Sequence, residues 1–595
     1  MPVRRRIPTP DPIPMDSIIT PLVPTGIIST ETGGLLRAGG PRLCELPYNS
    51  HDIRIRQIPF YTIQSIIQTL NICASIGFVE CTPCYDDSAE PIPTLQVCVD
   101  PRKNEARKDW LNAAQELYDL LCRYGLEYIT VDIIDCRLEQ GPSMFICEPT
   151  DAIFSKWDIV RQHILHSVDV SGFQLLGCYR MGYETRTENC KPTILVTVDP
   201  EFERDWGIAK QEIRNILNRL KLAVDVQIFK DHSIFCARRP SIQSELNSRC
   251  PVHMEDCPRV ATIGHSVGAH NSDRYGTFGG WLNIRQKPDS EWEQFGLTCR
   301  HCIFDDPFKD FVIPDPRAET LEHVGDNRLS LPESAQEVDC PSYGEIKMYI
   351  DGLKKTISDL KKEHSYPSLE ELRLCRDPLD DLSEACWKRL RAPIDGYEGW
   401  IAELEAYCDS NMHRFGKIWA HSGDSTRRTT TVMDWALLKP YPTRAYPSNK
   451  FGGFANQHDP RSLKVENGFI EDSIVLHHSD LLHKSGCITN TTTGQYNMLA
   501  TTVFTVTANG QLRTTNEHSV ICKKKKSDFE PGDSGSLLFT ESGAMVGMGF
   551  GAQVGGQIVV FTHVDDLIAD IKSQTGVDQV TFYTQEWTDE VCEKD

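Results

Sequence analysis

Several features that would assign a protein to a broad functional class are missing from this sequence of 595 residues. No window contains about 18 uninterrupted apolar residues, so we predict no membrane span. Prolines and arginines occupy the first 22 residues, where a secretory signal would need an apolar core. The formal net charge of −22 argues against a nucleic-acid partner, because binding phosphates requires a basic face. We therefore predict an intracellular, cytoplasmic protein whose residues 1–42 form a flexible N-terminal arm.

A dense cysteine framework, typical of small secreted domains, is also absent. The 22 cysteines are spread thinly along the chain, which favours buried thiols over disulfides. Two Cys-x-x-Cys pairs, Cys81/Cys84 and Cys299/Cys302, lie far apart in unlike sequence contexts. Because a structural zinc site needs its ligands together, we expect no metal shared between them, and we predict no cofactor.

The first 240 residues contain an internal duplication. The segment PTLQVCVDP from Pro93 reappears as PTILVTVDP from Pro192, and LEYITVDIID from Leu126 corresponds to LAVDVQIFKD from Leu222, a period of 96 to 99 residues. Each copy has the pattern of helix, strand, helix and strand, which predicts a β-α-β crossover with parallel strands. These α/β modules lack a concentrated cluster of His, Asp or Ser, so we predict a role in recognition or regulation.

From Gly276 onward, short strand-like runs alternate with Gly, Asn and Asp turns, as in an all-β barrel or sandwich. One helical interruption is clear, because apolar residues recur at steps of four and three from Ile346 to Leu360. A second helical face runs from Tyr397 to Cys408. An antiparallel helical hairpin inserted at about 343–408 would explain both, and separate surface helices packed on the β-domain are the alternative.

Three polar residues stand in contexts that suit nucleophilic catalysis. Ser534 lies in the run Gly-Asp-Ser-Gly, but a serine hydroxyl needs a base, and the base needs a group that orients it. His301 follows the strand-like run ending in LTC, and Asp434 comes directly before the apolar run WALLKP. A second Gly-Asp-Ser at Ser425 lacks the following glycine, and we interpret it as a loop.

These residues and their surroundings resemble the chymotrypsin/trypsin-like serine endopeptidases of the intracellular, non-secreted type. Besides the serine turn, the motifs that carry the resemblance are GTFGGWLNI from Gly276, LTCRHC around His301, DWALLKP from Asp434, KSGCITNTTTGQYN from Lys484 and FTHVDDLIADI from Phe561. The resemblance spans about residues 260–575 and implies a double six-stranded β-barrel with the active site between the barrels. The predicted fold class is then multidomain, with duplicated α/β modules before the chymotrypsin-like barrels and a helical hairpin inserted in them.

The predicted domain organisation follows from these patterns. Residues 1–42 form the arm, 43–150 the first α/β repeat, 151–240 the second repeat, 241–259 a linker, 260–575 the protease-like domain and 576–595 a C-terminal tail.

The resemblance implies a role for each matching residue. Ser534 would be the nucleophile, His301 the general base and then acid, and Asp434 the orienting acid. The backbone N–H groups of Gly532 and Ser534 would form an oxyanion hole, worth about 3–4 kcal/mol of transition-state stabilisation per donor. Asp533 is expected to turn inward and hold the loop. The substrate would be a protein or peptide, cleaved without a cofactor, and the repeats are candidates for binding a regulatory protein.

Specificity is a separate expectation. Asp528, six residues before Ser534, corresponds to the acid at the pocket floor of trypsin-type members, which would favour Arg or Lys. The lysines at 523–526 could neutralise it, and Val559 could narrow the pocket from the opposite wall. A solvated loop acid is the alternative interpretation of Asp528.

The sequence also departs from the secreted members. Asp434 lies 133 positions after His301, and no cysteine stands in the opening strand or just before the serine turn. Losing both of the disulfides those members form there fits a reducing compartment. Two alternatives stay open: a catalytically inactive protease-fold scaffold, and a metal site built on Cys299 and Cys302 that would compete with His301 as a base.

Overall fold

The structure is a computed structural model. It describes residues 28–32, 35–44, 48–53, 55, 57–69, 74–83, 90–99, 110–139, 141–184, 186–231, 261–304, 337–362, 366–374, 380–422, 430–449, 475–506, 510–522 and 528–583. The chain divides into two compact units, residues 1–142 and 143–595. No helix within the described ranges has the length and apolar content needed to cross a lipid bilayer.

The first unit is a six-stranded mixed sheet with helices. Its elements are β1 (Ile28–Thr32), β2 (Leu35–Gly40), β3 (Tyr48–Asp52), α1 (Phe60–Thr69), β4 (Ala74–Pro83), β5 (Ile92–Val99), α2 (Trp110–Arg123), β6 (Thr130–Asp135) and α3 (Cys136–Glu139). The strand order is β1-β2-β6-β5-β4-β3, and β5 and β6 run parallel, as the β-α-β pattern predicts. Trp110, Ala113 and Leu117 of α2 are buried in the core. The predicted arm, 1–42, includes the residues of β1 and β2, which pair in this sheet.

The second unit begins with the segment that the sequence predicts to be the second repeat. It contains β7 (Ser143–Phe145), α4 (Trp157–Ser167), β8 (Phe173–Gly182), β9 (Lys191–Val198), α5 (Trp206–Arg219) and β10 (Asp225–Lys230). Here too the strands of the crossover, β9 and β10, are parallel. Each predicted copy contains strands that the sequence pattern does not indicate, among them β4 and β8, which pair antiparallel with β5 and β9.

An eight-stranded sheet and three helices follow. These elements are β11 (Ser266–Ala269), β12 (Gly276–Thr277), β13 (Gly280–Arg285), β14 (Trp292–Cys299), β15 (Glu337–Asp339), α6 (Tyr343–Leu360), α7 (Tyr366–Leu374), α8 (Asp381–Asp409), β16 (Arg414–His421) and β17 (Trp435–Pro440). The eighth strand, β24 (Gln579–Phe582), pairs with β13. The sheet order is β12-β11-β15-β16-β17-β14-β13-β24.

The helical insertion is an antiparallel pair with a short helix between its members. Lys354 of α6 pairs with Glu405 of α8, and Lys361 pairs with Glu398, so the two helices run in opposite directions. The apolar seam predicted from the sequence is their contact face, since Ile346, Leu353 and Ile357 pack with Ile394, Ile401 and Leu404. The insertion therefore has its own small core.

The last strands of the second unit close on themselves. They are β18 (Leu481–Gly486), β19 (Asn490–Val506), β20 (Leu512–Cys522), β21 (Leu537–Thr540), β22 (Met545–Gln553) and β23 (Ile558–His563), followed by α9 (Val564–Thr575). Antiparallel pairings run β18-β19-β20-β23-β22-β21 and return from β21 to β18, so these strands form a closed barrel.

The second repeat copy is continuous with this barrel. Strand β8 pairs with β19 through Leu176 and Thr502, so one ten-stranded sheet joins the repeat to the barrel. The hydroxyl groups of Tyr179 in β8 and Thr501 in β19 also share a hydrogen bond, at 2.9 Å. The domain boundaries predicted from the sequence stay predictions, but a cut after residue 240 would divide this sheet.

Candidate active site

Strand pairing brings His301 and Asp434 together. Strand β14 ends at Cys299 and β17 begins at Trp435, and these two residues are opposite each other in the antiparallel pair. Residues just beyond one strand and just before the other must then lie at the same end of the sheet. The two sequence contexts that marked His301 and Asp434, a strand end and a strand start, are thus neighbours in space.

Asp434 holds His301 with both carboxylate oxygens. The backbone N–H of His301 donates to Asp434 Oδ1 at 3.0 Å, and the ring atom His301 Nδ1 contacts Asp434 Oδ2. Both side chains are buried, which strengthens this interaction by excluding water. The carboxylate therefore fixes the ring orientation and favours a proton on Nδ1, leaving Nε2 with the lone pair that a general base needs.

The turn around Ser534 depends on glycine at two positions. Gly532 has φ of 105° and Gly535 has φ of 94°, both in the region that disfavours other residues. A Cβ on Gly535 would also lie 2.3 Å from the carbonyl oxygen of Thr277. The backbone N–H of Thr277 donates to the carbonyl of Ser534 at 2.8 Å. The serine turn is thus packed against the start of the eight-stranded sheet.

Ser534 lies close to the residues that follow β14. Its hydroxyl donates to the carbonyl oxygen of Phe550 at 3.1 Å. Cys302, next to His301 in the chain, donates through Sγ to the carbonyl oxygen of Ser534 at 3.4 Å. No backbone carbonyl within the described ranges accepts from the N–H groups of Gly532 or Ser534. Those two donors are the ones that the sequence assigns to an oxyanion hole.

Asp533 turns inward, as expected from the sequence. Its carboxylate is fully buried and accepts from the backbone N–H groups of Ile488, Thr489 and Glu530 at 2.9, 3.1 and 3.0 Å. Lys484 Nζ lies 3.1 Å from Asp533 Oδ2, and the Lys484 side chain is only 5% exposed. A buried lysine from β18 thus neutralises the acid that anchors the serine loop.

Two thiols surround His301 and change its electrostatics. Burial lowers the pKa of His301, but the charges of Asp434 and Cys302, with their hydrogen bonds, raise that pKa by more, to about 10. Burial raises the pKa of Cys302, whereas the hydrogen bond with Cys299 and the charge of His301 lower it by more, to about 6. The neighbouring acid and thiol thus favour the charged form of the His301 ring, and the ring in turn favours the charged form of Cys302.

This environment predicts where activity should rise with pH. A general base must be neutral, so the ascending limb of kcat/KM should lie above pH 6.5, the ordinary pKa of His301, rather than at it. Replacing Cys302 with Ser removes the thiol that raises the pKa of the His301 ring, and the limb should move to lower pH. The measurement is the pH dependence of kcat/KM for both proteins, with folding followed by circular dichroism. An identical limb in the two proteins would contradict this electrostatic account.

Glu517 supports the segment that leads to Asp434. It is buried in β20, and its Oε1 accepts from the backbone N–H of Val432 at 2.8 Å. Burial raises the pKa of the Glu517 carboxyl to about 7, which is above the ordinary value of 4.5. The folded state therefore binds this proton more tightly than the unfolded state, so the contribution of Glu517 to stability falls as pH rises from 4.5 to 7.

Glu517→Gln is expected to stabilise the protein only at the higher pH values. The neutral amide keeps an acceptor for Val432 and never needs a buried charge, so the gain in unfolding free energy at pH 8 should approach about 3 kcal/mol. At pH 5 the two proteins should be nearly equal, because Glu517 is then protonated in the folded state. Chemical denaturation at several pH values tests this, and a difference independent of pH would contradict it.

The two residues predicted to shape a specificity pocket are both buried. Val559 lies in β23 and packs with Cys522 and Phe529 in the barrel core. The carbonyl oxygen of Asp528 accepts from the hydroxyls of Thr489 and Thr492 at 3.2 and 2.9 Å. The lysines at 523–526 lie outside the described residues. The pocket role of Asp528 and Val559 stays a prediction.

Sequence reasoning missed Lys484 and Glu517 as parts of this site. Lys484 was noted as the first residue of a motif, but its partner Asp533 becomes apparent only from the β18–β21 pairing, in which Lys484 is opposite Leu538. Glu517 is flanked by polar residues in NEHS, a pattern typical of an exposed strand face, and gives no signal of burial.

The sequence matches no protein-family model and no curated protein. The similar solved structures include Thermobifida fusca Protease A, at 11% identity and a TM-score of 0.25, over 55% of this chain and 100% of that chain. A glutamic acid-specific serine protease is similar at 15% identity and a TM-score of 0.20, over 29% of this chain and 76% of that one. The Rv3671c protease from M. tuberculosis, in its active form, is similar at 10% identity and a TM-score of 0.20, over 50% of this chain and 82% of that chain. TM-scores this low give no support of their own to a fold or an activity.

Proposed function

We propose that this chain is a serine endopeptidase that hydrolyses peptide bonds through an acyl-enzyme, with Ser534, His301 and Asp434 as the triad. The contact of Asp434 with both the backbone and the ring of His301 carries the proposal. It is the orienting interaction that a histidine base requires. Its position beside a glycine-flanked serine turn supports the assignment of Ser534 as the nucleophile.

The proposed reaction begins at Ser534. Its hydroxyl leaves the carbonyl of Phe550 and gives its proton to His301 Nε2 as Oγ attacks the scissile carbonyl carbon. The substrate oxygen becomes an oxyanion, which the N–H groups of Gly532 and Ser534 stabilise by donating hydrogen bonds. His301 then protonates the leaving amine as the C–N bond breaks, and an ester forms at Ser534. Water, deprotonated by His301, hydrolyses that ester and restores the enzyme.

We extend the proposal to a double six-stranded barrel. One barrel is the closed set β18 to β23. In the eight-stranded sheet, β12 ends at Thr277 and β13 begins at Gly280, so the two form one bent strand if the break between them is treated as a kink. Since β12 pairs with β11, the path from β11 through β15, β16, β17 and β14 to this bent strand would return to its start.

We also propose that the repeats regulate the enzyme or recognise its partner. The pairing of β8 with β19 supports this for the second copy, because a ligand that displaced β8 would act directly on a barrel strand. The first copy belongs to the other compact unit, so its contribution is a separate question. An inactive scaffold with the same fold is the alternative, and it predicts no turnover under any condition.

A metal site is the second candidate for the same residues. Ligand atoms of Cys299, His301 and Asp434 lie within 4.8 Å of one another, a grouping that could hold zinc. A metal on the ring would compete with the role of His301 as base. The two functions therefore predict opposite effects of zinc, which should inhibit a triad enzyme that works without metal.

The test is hydrolysis of an unfolded protein substrate by the full chain, analysed by mass spectrometry of the products. Ser534→Ala should abolish cleavage, whereas Ser425→Ala, in the second Gly-Asp-Ser sequence, should leave it unchanged. Residue 425 lies outside the described residues, so this control rests on the sequence alone. Equal activity of wild type and Ser534→Ala would refute the proposal.

A further inference from the structure

A second cluster of ionisable side chains lies at the base of the helical insertion, and the proposed triad uses none of them. Asp339 ends β15, just before α6, and His413 stands between α8 and β16. His270 directly follows β11, which pairs with β15. The cluster therefore joins the point where the chain enters the insertion, the point where it leaves, and a strand of the sheet.

The separations in this cluster match those between the ligands of a small metal ion. His270 Nδ1 lies 3.0 and 3.1 Å from the two oxygens of Asp339, and His413 Nε2 lies 3.7 Å from Asp339 Oδ2. One ligand atom from each residue falls within 4.8 Å of the other two. Ligands of a tetrahedral zinc with bonds of about 2.0–2.1 Å are about 3.3–3.4 Å apart.

His413 is the strongest sign that something is bound here. Its side chain is only 3% exposed, yet neither ring nitrogen has a hydrogen-bond partner among the described residues. The rings of Tyr343 and Tyr407 pack near it, with centroids at 6.3 and 6.2 Å, and offer it no polar partner. A buried imidazole with two unsatisfied nitrogens is costly unless a ligand occupies one of them.

We propose that His270, Asp339 and His413 bind one zinc ion that ties both ends of the helical insertion to β11. Two imidazole nitrogens and one carboxylate oxygen are ligands that zinc accepts, and water would complete the coordination. The ion would fix the entry and exit of the insertion at one point. Asp339 is fully buried, so its charge needs a close cation, and a divalent ion supplies one.

Two arginines near the cluster must be compatible with a cation. The guanidinium of Arg444 donates to the backbone carbonyl of Cys340 at 2.6 Å, so this hydrogen bond directs it to the backbone and not to the three proposed ligands. Arg414 Nη2 lies 2.8 Å from His270 Nε2, but also 3.2 Å from the carboxylate of Glu337. Metal on Nδ1 would place the ring proton of His270 on Nε2, so Arg414 should turn fully to Glu337. The charged groups around the ion are then two carboxylates, Asp339 and Glu337, and the two arginines, each of which has its own acceptor.

The test is zinc binding by the full chain, purified without chelators and dialysed against zinc. Metal content is measured by mass spectrometry as zinc per chain. We expect about one zinc at this cluster, and His413→Gln and His270→Gln should each weaken its binding at least about 100-fold. The matched control is His421→Gln, which changes another buried histidine outside the cluster. Cys299→Ser should also keep this zinc, which separates the cluster from the one around His301.

A spectroscopic measurement on the unmodified chain avoids relying on variants that could misfold. Cobalt bound at His270, Asp339 and His413 should give ligand-field bands without the thiolate charge-transfer band that Cys299 would produce. Chelation should lower the melting temperature and speed amide exchange in α6 and α8. A folded wild-type chain that binds no zinc, or zinc lost only with Cys299→Ser, would overturn the proposal.

Discussion

Replacing Asp434 with Asn is expected to lower kcat about 10⁴-fold while leaving the fold intact. Asp434 Oδ1 accepts the backbone N–H of His301, and an amide oxygen could still do so. The amide nitrogen, however, would donate to His301 Nδ1, which forces the ring proton onto Nε2. Nε2 of His301 would then carry the proton and have no lone pair to accept one from the proposed nucleophile, so the base would be lost.

Asp570→Asn is the matched control for this substitution. Asp570 is another buried aspartate, and its Oδ2 accepts from Trp435 Nε1 at 2.8 Å, one residue from Asp434 in the chain. The two hydrogen bonds between Asp434 and His301 do not involve it. We would compare kcat on one peptide substrate, and the melting temperature, between the Asp434→Asn and Asp570→Asn proteins. Equal losses of kcat in the two variants would mean that packing, and not the tautomer of His301, limits activity.

Replacing Lys484 with Met should have the second-largest effect, on both stability and catalysis. Asp533 is fully buried and Lys484 is its only described cation, at 3.1 Å. Removing one member of a buried ion pair leaves an uncompensated charge, which should lower the unfolding free energy by about 3–5 kcal/mol. Asp533 also anchors the loop that carries Gly532 and Ser534, so kcat should fall about 10²–10³-fold as the oxyanion donors shift.

Two comparisons make this prediction specific. Lys484→Arg keeps the positive charge and should recover part of the lost stability. Lys354→Met removes a lysine from an exposed ion pair with Glu405, where the expected loss is below about 1 kcal/mol. The readouts are urea denaturation and kcat on the same substrate. A Lys484→Met protein that is as stable and as active as wild type would rule out the ion pair as the anchor of the serine loop.

Much of the secondary structure could be predicted because its signals are local. The apolar spacing of Ile346, Leu353 and Ile357 predicts a helix from short-range sequence alone, and α6 covers that range. The two β-α-β crossovers are also local, because each needs only a strand, a helix and a strand in order. Strands β4 and β8 were missed because both contain internal glycine and neither alternates cleanly between apolar and polar residues.

Long-range pairings could not be predicted from the same signals. Nothing in the sequence near Leu176 indicates that β8 pairs with β19, because the partner Thr502 lies far along the chain. The same limit applies to Lys484 and Asp533, whose contact depends on how β18 pairs. By contrast, His301 and Asp434 were identifiable because each adjoins a strand end with a recognisable motif. Strand pairing then supplies the adjacency that the motifs alone do not.

Covalent labelling with a fluorophosphonate probe tests most directly whether Ser534 is an activated nucleophile. The probe reacts with a serine whose hydroxyl a base has activated, and the reaction needs no knowledge of the natural substrate. The full chain should be labelled more at alkaline than at acidic pH, Ser425→Ala should be labelled equally, and Ser534→Ala should not be labelled. Labelling that persists in a folded Ser534→Ala protein, or is absent from folded wild type across this pH range, would contradict the proposed triad.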